Sequence, residues 1–223
     1  MNQINKLNDF KIKLNNQEIT IRKWKAKEKL AFIDIIKNKK DKSELVDILV
    51  YNCIEEDVAL SKDEYKYVLS KIREISLGNE IPLQFTCEHC DEEFIEIIKL
   101  DEVIKPIFKD VNVIMTDKYE IKLSKIKNTS YYKKVINEAP DELDFYLRIS
   151  EINGNDGYTL EEIIELFENM DVLDFDEIFE EWDKIKLKID DVKIIECPKC
   201  SGKTEYEFDD IPGFFPASWF KKD

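Results

Sequence analysis

Two cysteine pairs, Phe85-Thr-Cys87-Glu-His-Cys90-Asp-Glu-Glu-Phe94 and Ile195-Glu-Cys197-Pro-Lys-Cys200-Ser-Gly-Lys-Thr204, are the residues of this chain best placed by type and spacing to do chemistry. Two residues between the cysteines let both thiolates face one ion at about 2.3 Å, and a second such pair completes the tetrahedron that zinc prefers. Cys87, Cys90, Cys197 and Cys200 are therefore the candidate metal ligands, with zinc the expected cofactor. Each pair lies between strand-like runs. Ile81, Leu83 and Phe85 alternate before the first, with Phe94, Glu96 and Ile98 after it; Val192 to Ile195 precede the second, and Tyr206 and Phe208 follow it. This is half of a zinc ribbon, written twice. Four thiolates leave no open position for water or substrate, so the expected metal is structural, a clasp whose binding is coupled to folding.

Competing chemistries fit the residues less well. A disulfide across CxxC closes a tight loop suited to redox centres, and an odd fifth cysteine, Cys53, argues against a secreted disulfide framework. Neither pair opens a helix after a buried parallel strand, where a thioredoxin-like thiol would have its pKa depressed. His89, inside the first pair, is expected to be a solvated knuckle residue. As the lone histidine, it also leaves little room for Ser-His or Cys-His catalysis. No phosphate-binding glycine loop is present, and Asn153-Gly-Asn-Asp-Gly157 lacks the alternating ligands and terminal glutamate of a calcium loop. The carboxylates between Glu161 and Asp183 fall on the solvent side of amphipathic patterns, where no environment separates their pKa values for acid–base work.

The elements that must position the cysteines follow from periodicity. Lys11–Leu14 and Glu18–Arg22 alternate with period two around Asn15-Asn16-Gln17 and predict a hairpin. Leu30, Phe32, Ile33, Ile35 and Ile36 predict a helical face from Ala26 to a lysine-rich stop. Ser43 caps a predicted helix from Glu44 to about Ile54, with Cys53 on its inner side; Ser61-Lys-Asp-Glu64 is a capping box for a helix ending at Gly78. After the first pair, Asn112–Met115 and Tyr119–Leu123 predict a second hairpin. Helices follow over Tyr131–Glu138, from Asp141 to about Asn153, from the capping box Thr159-Leu-Glu-Glu162 to Met170, and from Phe175 to Ile185.

The expected fold is thus α+β: an N-terminal β-hairpin and helices over residues 1–80, ribbon halves at 81–100 and 190–212, a mixed insertion of hairpin and acidic helices at 101–189, and an aromatic tail at 213–223. That tail, Pro212-Gly-Phe-Phe-Pro216-Ala-Ser-Trp-Phe220, either folds back on the core or inserts into a partner. On the second reading Phe214, Phe215, Trp219 and Phe220 are the partner-binding residues, since clustered aromatics make interface hot spots.

Composition narrows the partners. The chain has 223 residues, 43% hydrophobic and 11% aromatic, enough for a packed core. Its 34 basic and 49 acidic residues give a net charge of −15, which repels phosphate backbones and makes nucleic acid an unfavoured partner. The first forty residues are the basic exception. No apolar run of about 18 residues predicts a membrane span, and the start lacks the apolar segment of a signal peptide. A reducing cytoplasm, where thiolates remain free for metal, is the expected setting.

The β start, the helical region, Ile81-Pro-Leu-x-Phe-x-Cys87-x-x-Cys90, the long insertion and the distal CxxC near an aromatic end together resemble the baseplate hub proteins of T-even-type contractile-tailed phages. The resemblance implies a non-catalytic protein of hub assembly, acting in the host cytoplasm and at the virion baseplate, where the tail tube and tape measure begin. Its partners would be other hub or tail proteins, the tape measure among them, and the four cysteines carry over as metal ligands. The alternative is a zinc-ribbon regulatory protein that contacts nucleic acid or transcription machinery through the basic N-terminal hairpin and helix.

Overall fold

Alternation at the start of the chain becomes a hairpin: β1 (Asp9–Lys13) pairs antiparallel with β2 (Glu18–Arg22), Ile12 opposite Ile19, and Ile19 and Ile21 are fully buried. The structure is a computed structural model; it describes residues 9–15, 17–38, 48–107, 109, 111–126, 141–190 and 192–207. Helix α1 (Ala26–Asn38) buries Phe32 and Ile35. Leu30, expected on that inner face, is 65% exposed instead. At 100° per residue it lies about 140–160° around the axis from Phe32 and Ile35, and the buried carboxylate of Glu28 takes the place beside them. Glu28 accepts from the Lys25 N–H at 2.7 Å and from Arg22 at 2.8 Å, which closes the helix start without a capping hydroxyl.

The helix expected to run to Ile54 falls partly outside the described residues, and what is described ends it early. Ile48 and Leu49 are helical, but the chain then tightens into a 3₁₀ turn, Tyr51–Cys53, and Ile54 bridges Ile21. Strand pairing overrides helical period here. Cys53 is buried as the sequence indicates, and desolvation pushes its thiol up to about 11, so it behaves as a small apolar group. Helix α2 (Lys62–Leu77) starts at the expected capping box: Ser61 Oγ accepts from the Glu64 N–H at 3.2 Å, and Glu64 Oε2 accepts from the Ser61 N–H at 2.9 Å. It stops at Gly78, whose φ of 98° suits a residue without a side chain.

The next elements hold the cysteines and connect to the insertion. Strands β3 (Glu80–Thr86) and β4 (Glu93–Lys99) form one hairpin, followed by a short helix α3 (Leu100–Val103) and strand β5 (Lys105–Ile107). A three-stranded antiparallel sheet follows, β6 (Val113–Met115), β7 (Glu120–Leu123) and β8 (Ile149–Ile152), in the order β6-β7-β8. Helix α4 (Asp141–Arg148) stops well before Asn153, because Ile149–Ile152 turns to pair with β7 and buries Ile149 and Ile152. Helices α5 (Leu160–Glu168) and α6 (Val172–Ile185) then cover this sheet, the first from the expected Thr159–Glu162 capping box and the second from Asp171. The three-residue strand β9 (Lys188–Asp190) returns to pair with β5, and β10 (Val192–Glu196) and β11 (Lys203–Glu207) make the second cysteine hairpin. The predicted helix over 131–138 lies outside the described residues.

Two cores result. One gathers Ile19, Ile21, Phe32, Leu69, Ile72, Ile81, Ile98 and Ile195, so the N-terminal elements and both cysteine hairpins share it. The other packs Ile121, Phe145, Phe167, Ile178 and Trp182 inside the insertion, with Phe145 edge-on to Phe167 at 5.7 Å. Between them runs a buried ion pair. Arg148, at the end of α4, donates to Glu64 of α2 at 2.7 Å and to Asp144 at 3.1 Å; Arg148 and Glu64 are each 1% exposed.

Candidate metal centre

Each cysteine pair occupies the turn of an antiparallel hairpin, and the two turns are built alike. Phe85 pairs with Phe94 across the first hairpin, and Ile195 with Thr204 across the second. The Cys87 N–H donates to the Glu92 carbonyl at 2.9 Å and the Asp91 N–H returns to the Cys87 carbonyl at 3.0 Å. In the second turn, Cys197 N–H to Gly202 O and Ser201 N–H to Cys197 O are both 2.9 Å. Asp91 and Ser201 sit at matching places with φ of 55° and 56°, the left-handed residue that lets the chain reverse just past the second cysteine. Strand alternation turns Phe85 and Tyr206 inward, where their rings meet edge-on at 5.1 Å and press the hairpins together. Lys199–Glu92 at 2.7 Å and Lys193–Glu96 at 3.6 Å fasten the rims.

This packing brings four sulfurs from two distant parts of the chain within 4.8 Å of one another. Cys87 Sγ lies 3.6 Å from Cys200 Sγ and Cys90 Sγ 3.8 Å from Cys197 Sγ, between residues 113 and 107 positions apart. The edge of a tetrahedron with 2.3 Å metal–sulfur bonds is about 3.8 Å, whereas a disulfide is about 2.05 Å. The separations are those of ligands around one ion. Backbone donors aim at the same sulfurs: His89 N–H at Cys87, Lys199 N–H at Cys197 and Gly202 N–H at Cys200, each at 3.4 Å. Such N–H groups favour the thiolate, the form a metal needs.

The thiols do not share that bias equally. Against the upward push of burial, the N–H groups of Cys200 and Lys199 and the neighbouring thiols hold Cys197 down to about 7. Cys90 is pushed up to about 12: the Glu92 N–H opposes the rise, while burial and the three other cysteines drive it. Four sulfurs at this spacing cannot all ionise without a cation among them. Access is uneven too, with Cys87 and Cys197 buried and Cys200 exposed.

The four candidate ligands are thus brought together. Phe214, Phe215, Trp219 and Phe220 lie outside the described residues. His89 is exposed but is more than a solvated spacer. Its ring lies against Gly202, where an added Cβ would collide with it, and its Nε2 is 3.4 Å from the Lys203 carbonyl. The backbone donors, the Gly202 contact and the Lys199–Glu92 pair escaped the sequence reading. A glycine two residues after Cys200, with no glycine at the matching place in the first pair, was the available signal for the close approach.

The fold and centre together define an α+β protein whose distant cysteine pairs converge in one four-sulfur cluster. The chain belongs to the T4 bacteriophage base plate protein family, which it matches over residues 7–216. No curated protein and no solved structure matches it. Membership makes it a baseplate protein of a phage tail, with other baseplate proteins as its partners.

Proposed function

We propose that the chain is a non-catalytic assembly protein of the baseplate hub, acting where the tail tube begins, with one structural zinc held by Cys87, Cys90, Cys197 and Cys200. The carrying observation is that the family match spans both cysteine pairs, and that these pairs converge at tetrahedral spacing from opposite ends of a long insertion. Zinc suits the donor set: soft thiolates in a tetrahedral, closed arrangement. The metal would fix residues 81–100 against 190–207 and so hold the insertion of 101–189 as a presented module. Phe214, Phe215, Trp219 and Phe220 follow the second ribbon half and serve as the anchor for a hub or tail partner, the tape measure among the candidates. In this reading the protein assembles in the host cytoplasm before it joins the tail. The test is co-expression with the other baseplate proteins of its phage, followed by isolation of complexes. A defined complex that is lost when Phe214, Phe215, Trp219 and Phe220 are all changed to Ser supports the anchor. Complexes unchanged by that variant refute it, and recovery with nucleic acid alone favours the regulatory reading.

A further inference from the structure

Two exposed surfaces away from the clasp carry opposite charge around an apolar centre. The first is the outer side of α6. Its opening residues, Val172 and Leu173, are 66% and 74% exposed, and Met115 of β6 is 61% exposed. The 2.7 Å pair Lys118–Asp174 ties the β6–β7 turn to the same end of the helix. Farther along, Asp176, Glu177 and Glu180 are exposed, and a cleft of about 460 Å³ beside them is lined by Glu142, Asp176, Phe179, Glu180 and Asp183, with Lys186 held by Asp183 at 3.2 Å. From Leu160 to Ile185 the sequence has one lysine against eleven carboxylates.

The second surface is the outer side of α1. Ala26, Leu30 and Lys37 fall on one stripe at helical spacing, with Lys27 beside them and Lys23 and Lys25 exposed just ahead. Asp34 shares the stripe's edge, where it accepts from Asn38 at 2.6 Å. Between Arg22 and Lys29 there are five basic residues and one acid, Glu28, and that acid is buried. The apolar centre is the exposed Leu30, on the side of the helix opposite its core face.

We propose that these surfaces bind each other between copies of this chain, Leu30 and its lysines on one copy docking against Val172, Leu173 and the carboxylates of α6 on the next. Charge complementarity selects this occupant: one surface is rimmed mainly by lysines and the other mainly by carboxylates, and each offers apolar side chains for its centre. The contact joins unlike surfaces, and repeated head-to-tail it extends into a ring or a chain; a reciprocal two-fold pairing would stop at a dimer, so an unaltered chain that grows no further than a dimer counts against it. The net charge of −15 repels whole molecules at long range, but at about 0.1 M salt screening acts over about 10 Å and leaves contact pairs in force. The proposal stands apart from the baseplate assignment and from the metal.

Mixing two variants of the full-length, metal-loaded chain tests it. Leu30→Glu spoils the basic surface alone, and Leu173→Lys the acidic one alone. By sedimentation at about 0.1 M salt, the unaltered chain should form species that grow with concentration and weaken several-fold at about 1 M, where screening shortens to about 3 Å. Each variant alone should be monomeric, and an equimolar mixture should give a 1:1 dimer that grows no further. A wild-type chain that stays monomeric, a single variant that still associates, or a mixture that remains monomeric overturns the proposal. Both side chains are exposed, and metal content and thermal melts confirm folding; Lys37→Glu with Glu180→Lys is the second pair should either variant fail to fold.

Discussion

Replacing Arg148 with Met should weaken the protein by several kcal/mol, about 3–5. Arg148 and Glu64 are both almost wholly buried, and the guanidinium supplies the charge that answers the Glu64 carboxylate at 2.7 Å. Methionine keeps much of the stem volume, so little of the loss comes from packing. What remains is a buried carboxylate whose Oε2 keeps only the Ser61 N–H, and whose Oε1 has no partner, among the described residues. Removing one member of a buried pair costs about 3–5 kcal/mol, which at a urea slope near 2 kcal/mol/M lowers the midpoint by about 1.5–2.5 M. Trp182 reports the insertion core and Trp24 packs on the other, so tryptophan emission follows both. The double variant Arg148→Met with Glu64→Gln removes the orphaned charge, keeps an oxygen for the cap, and should recover at least about 2 kcal/mol. A loss below about 1 kcal/mol for Arg148→Met, or no recovery in the double variant, refutes the assignment of this pair as the link between the cores.

Other expectations are simpler. Gly202→Ala should displace the His89 ring and set a Cβ 3.2 Å from Cys200 Sγ; metal affinity, read by chelator competition, should fall about 10-fold, and His89→Ala should restore part of it. Chelation should unfold the cysteine hairpins, because no preformed site outlasts the metal; loss of exchange protection at Cys87, Asp91, Cys197 and Ser201 measures this. Glu28 is held below the usual carboxylate range: burial pushes it up, but hydrogen bonds from Arg22 and the Lys25 N–H outweigh that. Its contribution is therefore complete above the unfolded value of about 4.3 and is lost as pH falls through the lower folded one. Glu28→Gln should destabilise at pH 7 and flatten the acid limb of a stability–pH curve; an unchanged limb counts against it.

What the sequence revealed and what it hid follow the range of the interactions. Ser61 with Glu64 and Thr159 with Glu162 satisfy each other within one turn, so both helix starts were legible. The CxxC pairs were legible because metal chemistry fixes their spacing, and the alternation around Phe85 and Phe94 because one face is buried. The chain past Arg148 was not. Ile149 and Ile152 are three apart, a spacing that continues a helix and that a regular strand would split between its two faces; the bulge opposite Lys122 and Leu123 lets both be buried, and only pairing with β7 reveals it. Strands β5 and β9 are three residues each and exist only through one another. Leu30 failed for a different reason: apolar residues surround most of α1, and which arc is buried depends on Phe32, Ile35 and the ion-paired Glu28. The bond between Glu64 and Arg148 spans 84 positions and leaves no local trace.

The most direct test of the metal clasp is native mass spectrometry of the purified chain joined to X-ray absorption at the metal edge. The proposed clasp requires one zinc per chain, with four sulfur neighbours at about 2.3 Å and no nitrogen or oxygen in the shell. Metal-free protein whose five cysteines all titrate as thiols, or a shell with fewer than four sulfurs, would contradict it.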